Sequence, residues 1–266
     1  MLFRSILAVT AAKPGTGTID VLAGGALGLR VGTSYTTADV DTLWAGGMAG
    51  VTLDAAARVG IDTTEGDVTY STAQSTRGLV KIGAGVLTLT GDNTYAGGTE
   101  IHNGALQIGN GGTSGAIGSG HVINNGSLVI YRSDALAIPG NISGTGTLTN
   151  LGTGTTTLSG SNTFTGAMIV ERGAVDLTGS LLGGIGTTYS IGTDATTPGS
   201  FAIAGDILVN NLYVADRVVG ATGFVTQTAG TVIITNSLQL ARQAASLADP
   251  TRSEEHTSEL QSRQSI

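Results

Sequence analysis

An internal repeat limits the folds open to this chain more than any other feature. Residues 83–105 recur as residues 152–174 with ten identical positions, and Tyr95 is matched by Phe164. Each copy consists of short alternating strands separated by Gly-x-Gly and Gly-x-Asn-Thr-aromatic-x-Gly segments. Such repeats indicate supersecondary units that bury their apolar faces only by stacking on their neighbours.

The repeat positions are glycines, corner asparagines, leucines and one aromatic residue per copy. Glycine permits a positive φ at a corner, and the strand after the corner turns every second side chain inward. We therefore predict a structural role for these positions and place Asn93 and Asn162 at corners. They are Gly83, Gly85, Leu89, Gly91, Asn93, Tyr95, Gly97 and Gly104 in the first copy, and Gly152, Gly154, Leu158, Gly160, Asn162, Phe164, Gly166 and Gly173 in the second.

The spacing of the two copies also predicts the architecture. About three coils of roughly 20 to 25 residues account for it, each rising about 4.8 Å by strand pairing with the coil below. We therefore predict an all-β fold, a right-handed parallel β-helix (β-solenoid). A β-sandwich or jelly roll is the competing all-β fold, because its short strands are also bounded by glycine-rich turns. For the Asn-Gly steps, such as Asn103-Gly104, a two-residue hairpin turn is the alternative.

Composition indicates a folded β protein and excludes several classes of site. The 43 glycines disfavour helices, while 40% hydrophobic and 12% charged residues allow a core to form. The net charge of −7 comes without a basic stripe, so we expect no nucleic-acid partner. No apolar run reaches about 18 residues, so we expect no membrane span in this segment. The absence of cysteine excludes disulfides and thiolate metal sites.

The two ends of the chain differ in character from the rest. Residues 252–266 are similar to the translation of a widely used sequencing adapter, and residues 1–5 resemble the end of the opposite adapter. Such segments are excluded before the fold is considered. We therefore predict that residues 6–251 are the natural β-helical part, that residues 252–266 are disordered, and that the natural protein is longer at both ends.

Residues 78–99 resemble the autotransporter-associated β-strand repeat, also called the passenger-associated transport repeat, and the resemblance continues to residue 109. The second copy, residues 144–177, departs from the first where Asn150 replaces the lysine and Met168 replaces the threonine of that pattern. Residues 212–240 are similar to another repeat of large bacterial surface proteins. We therefore predict repeats at residues 78–109, 144–177 and 212–240.

The resemblance implies a passenger domain of a type V secretion system, carried to the cell surface by a C-terminal translocator barrel. It therefore implies a location at the cell surface or outside the cell of a bacterium with a Gram-negative outer membrane. The family motif contains no catalytic residue, so none is carried over. The likeness of residues 212–240 to sorted surface proteins leaves a second route open, in which a sorting signal anchors the protein.

The acidic residues offer few candidate metal ligands. Asp62, Glu65 and Asp67 form the densest group, but carboxylates beside a glycine are typical of a solvated turn rather than a calcium site. Asp39 and Asp41 lie on one side of a predicted strand, without a third ligand. We therefore predict no bound metal and no cofactor.

Residues that usually carry catalysis are sparse. His102 and His121 stand in no Gly-x-Ser-x-Gly or His-Glu-x-x-His context, so we expect exposed strand or corner positions. Neither Lys13 nor Lys81 follows a glycine, so the pattern of a phosphate-binding loop is absent. We predict that the chain is not an enzyme, and a polysaccharide lyase is the least favoured function.

Aromatic residues leave one binding hypothesis open. Trp44, Tyr35, Tyr70 and Tyr95 either form a patch on which sugars stack or pack within the coils. The main prediction is a structural, surface-exposed passenger segment that acts as an export-compatible stalk. The alternative is an adhesin or glycan-binding module, with a glycan or a host-surface ligand as its partner.

Overall fold

The computed structural model describes residues 2–3, 6–9, 18–215 and 221–240, with side chains from residue 18 onward except at residues 184–186. The adapter-like residues 252–266 lie outside this described part. The predicted third repeat, residues 212–240, is interrupted by residues 216–220, which also lie outside it.

The described part is a parallel β-solenoid of about eight turns with one helix, α1 (Thr37–Trp44). Most strands lie on three faces, numbered here in the order in which the protein visits them. Face 1 consists of β2 (Ile6–Val9), β4 (Ala26–Arg30), β6 (Arg58–Asp62), β8 (Leu79–Ile82), β10 (Thr99–Ile101), β12 (Val122–Asn124) and β15 (Ile142–Ser143).

Face 2 is the longest sheet and face 3 is confined to later coils. Face 2 contains β7 (Val68–Tyr70), β9 (Val86–Leu89), β11 (Ala105–Ile108), β13 (Ser127–Ile130), β16 (Thr147–Asn150), β18 (Ser161–Asn162), β19 (Met168–Val170), β21 (Ser180–Ile191), β23 (Ile207–Val214) and β25 (Val232–Leu240). Face 3 contains β14 (Leu136–Ile138), β17 (Thr155–Leu158), β20 (Gly173–Leu177), β22 (Gly199–Ile203) and β24 (Gly223–Gln227). A separate three-stranded sheet contains β1 (Leu2–Phe3), β3 (Ile19–Val21) and β5 (Val51–Leu53).

Every strand pairing in the described part is parallel and joins one coil to the next. On face 1, Leu79 is in register with Thr99, Thr99 with Val122, and Val122 with Ile142, so each coil returns to the same face. The prediction of a parallel β-helix is therefore confirmed. The β-sandwich and the Asn-Gly hairpin are wrong, because a two-residue turn joins only antiparallel strands.

Columns of inward side chains form the core. On face 2 the register stacks buried residues, one per coil, and each contributes about 1.5–3 kcal/mol relative to an exposed position. The column is Leu87, Leu106, Leu128, Leu148, Met168, Tyr189 and Leu212. Because the pairing is direct, a residue in such a column is buried by the coils on both sides.

The coil between β4 and β6, in which Ala26 is in register with Arg58, is longer than the other coils of face 1. Helix α1 occupies the extra length, so the prediction of a strand at Asp39 and Asp41 is wrong. The helix begins at a capping box, in which the Asp39 amide donates to Thr36 Oγ1 and the Thr36 amide donates to the Asp39 carboxylate. None of the helices in the described part is long and apolar enough to cross a membrane.

The two repeat copies lie on different faces. Three coils take Leu79 to its register partner Ile142 on face 1, whereas its repeat counterpart, Leu148, lies on face 2. The predicted spacing of about three coils is therefore corrected to three coils plus one face. The first copy occupies faces 1 and 2, and the second occupies faces 2 and 3.

Candidate functional site

The repeat brings its polar residues together at the corners of the coils. Asn93 is buried, and its Oδ1 accepts a hydrogen bond from the Gln74 amide, one coil earlier, at 2.8 Å. Its Nδ2 donates to the Gly91 carbonyl at 3.0 Å and to the Ala116 carbonyl, one coil later, at 2.8 Å. One side chain thus binds backbone groups of three successive coils and gives the Gln74 amide and the Ala116 carbonyl a hydrogen-bond partner.

Asn162 makes the same three bonds in the second copy. Its Oδ1 accepts from the Ile142 amide at 3.0 Å, and its Nδ2 donates to the carbonyls of Gly160 at 2.9 Å and Ser180 at 3.0 Å. It is also buried. Both asparagines therefore connect the coil before to the coil after, although Asn93 lies between strands and Asn162 ends β18.

A second polar position of the repeat has the same role in both copies, although its residue type differs. Lys81 is fully buried, and its Nζ donates to the carbonyls of Ile82 at 3.1 Å, Gly83 at 2.8 Å and Asn103 at 3.0 Å. Burial lowers the pKa of Lys81 to about 8, and the negative charges of Asp62 and Asp67 oppose this effect. A cation is kept inside the solenoid because three carbonyl oxygens from two coils surround it.

Asn150 takes the place of Lys81 in the second copy. Its Nδ2 donates to the carbonyls of Gly152 at 3.2 Å and Arg172 at 2.7 Å, and its Oδ1 accepts from Thr156 Oγ1 at 2.8 Å. Gly152 and Arg172 follow Asn150 at the same sequence separations at which Gly83 and Asn103 follow Lys81. The lysine and the asparagine thus bind equivalent corner carbonyls.

The aromatic position of the repeat changes together with its neighbour. Tyr95 Oη and Thr99 Oγ1 are 2.9 Å apart and share a hydrogen bond in the buried interior. Burial raises the pKa of Tyr95 to about 12. In the second copy Phe164 and Met168 replace this pair, and both are fully buried. The polar pair of one copy is thus an apolar pair in the other.

Gly104 and Gly173 hold the corner before the last strand of each copy, with φ of +63° and +64°. A Cβ atom at Gly104 would lie 2.5 Å from the Gly85 carbonyl oxygen, and one at Gly173 would lie 2.4 Å from that of Gly154. Both features require glycine. The other predicted glycines also approach the backbone of the adjoining coil; they are Gly83, Gly85, Gly91, Gly97, Gly152, Gly154, Gly160 and Gly166. Leu89 and Leu158 are buried.

The three clustered carboxylates bind separate donors. Asp62 is buried and accepts from the Thr64 amide at 2.9 Å, while Glu65 accepts from the Thr33 amide at 2.7 Å. The Thr33 bonds lower the pKa of Glu65. Asp67 accepts from a backbone amide of the next coil at 2.7 Å. Within the described residues, no group of three or more histidine or acidic side chains is arranged to hold a metal ion.

The two histidines lie at the surface, and each has its own hydrogen-bond partner. His102 is 3.3 Å from a Glu100 oxygen, and His121 Nε2 is 2.7 Å from Ser143 Oγ. His121 is exposed, and the His102 side chain is about one-third exposed, at 38%. The two imidazoles therefore make separate surface hydrogen bonds and do not converge on one site.

Of the two interpretations of the aromatic residues, packing within the coils is the one that the structure shows, and a surface patch for sugars is wrong. Trp44, Tyr35, Tyr70 and Tyr95 are each at most 2% exposed. The Trp44 ring from α1 stacks on Tyr70 with centroids 6.2 Å apart and lies 5.9 Å from the Tyr95 ring. The aromatic residues therefore pack the helix onto the core.

Sequence reasoning missed two arginines that fasten irregular segments. Arg77 Nη1 donates to the Trp44 carbonyl at the end of α1, at 2.8 Å. Arg132 is buried; it donates to the Gly115 carbonyl at 2.6 Å and pairs with Asp134 at 2.7 Å. The sequence gives no sign of either contact, because the carbonyls that the two arginines bind are distant in the chain.

Comparison with known proteins agrees with the corner geometry. Residues 79–108 and residues 148–177 match the family described as passenger-associated-transport-repeat. Two passenger-associated-transport repeats are therefore present. Each matched segment lies within a repeat predicted above. The polar and glycine residues described for the two copies, including Lys81, Gly104, Asn150 and Gly173, fall inside the matches.

The protein is also similar to a curated autotransporter. It is 60% identical over 55 residues to the adhesin BmaC autotransporter of Brucella suis biovar 1 (strain 1330). The similarity covers 21% of this chain and 2% of the relative. No solved structure matches the chain significantly. The protein is thus an autotransporter-like, β-helical repeat protein that spans a small part of its much longer relative.

Proposed function

We propose that this β-solenoid is the structural stalk of an autotransporter passenger at the bacterial cell surface. The observation that carries the proposal is that the repeat residues bind backbone groups of adjacent coils. Asn93, Asn162, Lys81 and Asn150 each connect neighbouring coils in this way. The described corners hold an elongated stack together, and their polar side chains are turned to the backbone rather than to one shared surface.

The same architecture suits export as an unfolded chain. Strand pairs join residues about one coil apart, and the protein has no cysteine that would require a disulfide. Coils of this kind gain stability from nearest neighbours, so folding propagates from one coil to the next. We infer that the segment passes its translocation pore unfolded and condenses coil upon coil, at the surface of a Gram-negative bacterium.

Refolding of the full chain from denaturant tests the stalk proposal. We expect the strand signal in far-UV circular dichroism to return in a cooperative transition without any ligand. A protein that recovers the strand signal only with a partner present, or only as aggregate, would contradict the proposal.

Adhesion is the second candidate function, and the similarity to an adhesin favours it. The buried aromatic residues are not the binding surface, so a ligand would have to bind exposed parts of the coils. Incubation of the folded protein with an array of glycans and host-matrix proteins separates the two candidates. The stalk proposal predicts no saturable retention, whereas saturable retention that is lost on unfolding would favour an adhesin module.

A further inference from the structure

Three Asn-Gly steps occur in the sequence, and the solenoid places them in different surroundings. They are Asn103-Gly104, Asn110-Gly111 and Asn125-Gly126. All three asparagines are exposed. Asparagine is chemically labile, and the following glycine gives least steric protection. Differences between the three steps must therefore come from the fold.

The reaction that threatens such a step needs only water. The backbone nitrogen of the glycine loses its proton and forms a bond to the asparagine Cγ. The bond from Cγ to Nδ2 then breaks, and Nδ2 takes up a proton and leaves as ammonia. Water then opens the five-membered imide at either carbonyl. One opening gives aspartate, and the other gives isoaspartate, in which the backbone runs through the side chain and gains a methylene group.

Two of the three glycine nitrogens are held by hydrogen bonds. The Gly111 amide donates to the Tyr131 carbonyl at 2.7 Å, and the Gly126 amide donates to Asn124 Oδ1 at 3.2 Å. In addition, Asn125 Oδ1 accepts from the Thr145 amide at 3.2 Å, which restrains the group under attack. These bonds must break before the nitrogen of either step attacks its side chain.

The step at Asn103 has neither restraint among the described residues. The Gly104 amide has no hydrogen-bond acceptor, and the exposed Asn103 side chain has no hydrogen-bond partner. Its backbone carbonyl, however, is one of the three oxygens that surround Lys81 Nζ. We propose that Asn103 is a spontaneous deamidation site and that its isoaspartyl product opens the cage around Lys81.

The rates at the three steps test the site. The full folded protein is incubated at mildly alkaline pH, digested, and analysed by mass spectrometry for aspartate and isoaspartate at each step. We expect Asn103 to react about two- to tenfold faster than Asn110 and Asn125, since each of those requires a hydrogen bond to break. In denaturant the three rates should converge. Equal rates in the folded protein, or the same order in denaturant, would overturn the proposal.

The stability of the aged protein tests the consequence. We expect the denaturation midpoint of the parent to fall on ageing, while that of Asn103→Gln, which blocks the reaction, stays constant. The variant Asn103→Asp carries the new charge without the extra methylene, and we expect its midpoint to stay near the fresh parent. The proposal that the isoaspartyl product opens the Lys81 cage is wrong in either of two cases. The midpoint of Asn103→Gln falls as far as that of the parent on ageing, or the midpoint of fresh Asn103→Asp is already as low as that of the aged parent.

Discussion

The two repeat copies make the same corners on different faces of one solenoid. In residues 78–109 the repeat runs from face 1 to face 2, and in residues 144–177 it runs from face 2 to face 3. The three hydrogen bonds of Asn93 nevertheless recur at Asn162, with the same atoms and similar distances. The repeat therefore specifies a strand, a corner and the next strand, and not a place on the circumference.

The differences between the copies are equally informative. Lys81 and Asn150 bind equivalent carbonyls with a charged and a neutral side chain, and Tyr95 with Thr99 is exchanged for Phe164 with Met168. A corner therefore accepts different residues, provided that its buried backbone groups remain satisfied.

The largest effect is expected at the positive-φ glycines. Gly104→Ala and Gly173→Ala should each lower the free energy of unfolding by about 3–4 kcal/mol, because the new Cβ atom meets a carbonyl oxygen in a strained conformation. Chemical denaturation measures both. Gly112→Ala is the control, since its Cβ would contact only the Asn110 side chain at 3.6 Å. A clear difference in the loss of stability between Gly104→Ala and Gly173→Ala would show that the two corners are not equivalent.

Removal of Asn93 or Asn162 should lower the free energy of unfolding slightly less than the glycine variants do. Asn93→Ala leaves the Gln74 amide and the Ala116 carbonyl without their side-chain partner, and Asn162→Ala does the same to the Ile142 amide and the Ser180 carbonyl. We therefore expect a loss of about 2–4 kcal/mol in either copy. The exposed Asn110→Ala should change the free energy of unfolding by less than about 0.5 kcal/mol. If only one of the two variants destabilises the protein, the claim that Asn93 and Asn162 stabilise the two copies in the same way is wrong.

The charged corner should respond to pH, unlike its neutral counterpart. With the pKa of Lys81 lowered to about 8, the unfolded chain binds more protons than the folded protein above that pH. The free energy of unfolding should therefore rise by about 2 kcal/mol between about pH 7 and about pH 9.5. Denaturation of the parent and of Lys81→Asn, which copies the second repeat, measures the rise.

We expect the Lys81→Asn variant to lose this rise, because no other lysine in the described part is buried in a corner. An equal rise in the parent and the variant would show that another group titrates in this range.

The aromatic pair should give the smallest single effects and the sharpest coupling. Tyr95→Phe and Thr99→Val each remove one hydroxyl of a buried pair, so each should cost about 1–2 kcal/mol. The double variant should cost less than the sum, since it approaches the apolar pair of the second copy. A double-mutant cycle in urea measures the coupling, and strict additivity would contradict the exchange of one pair for the other.

The stacking of the coils could be predicted from the sequence. That the second copy begins on face 2, one face later than the first copy, could not. Alternation and glycine corners define strands and their order, whereas the coils vary in length, and the coil between Ala26 and Arg58 makes room for a helix. The spacing between two repeat copies therefore does not determine how many faces it spans. The inward position of Lys81 was readable from its alternation with Leu79, but its carbonyl partners come from two coils.

The helix was missed, and the choice between two interpretations of the aromatic residues was left open, for physical reasons. The capping box of Thr36 and Asp39 is visible in the sequence, but the glycine content of the whole chain argued against any helix. The burial of Trp44 against Tyr70 and Tyr95 depends on contacts between coils that only the folded stack brings together. Local propensity carries no information about such contacts.

Disulfide trapping tests the turn of the second copy most directly, because the protein has no cysteine of its own. Thr149 lies beside Val129 on face 2, so Val129→Cys with Thr149→Cys should form a disulfide under mild oxidation. If the two copies were a whole number of coils apart, Thr149 would lie in the face 1 column of Ile123 instead. We predict bridging for the first pair and none for Ile123→Cys with Thr149→Cys, and the reverse result would contradict the turn by one face.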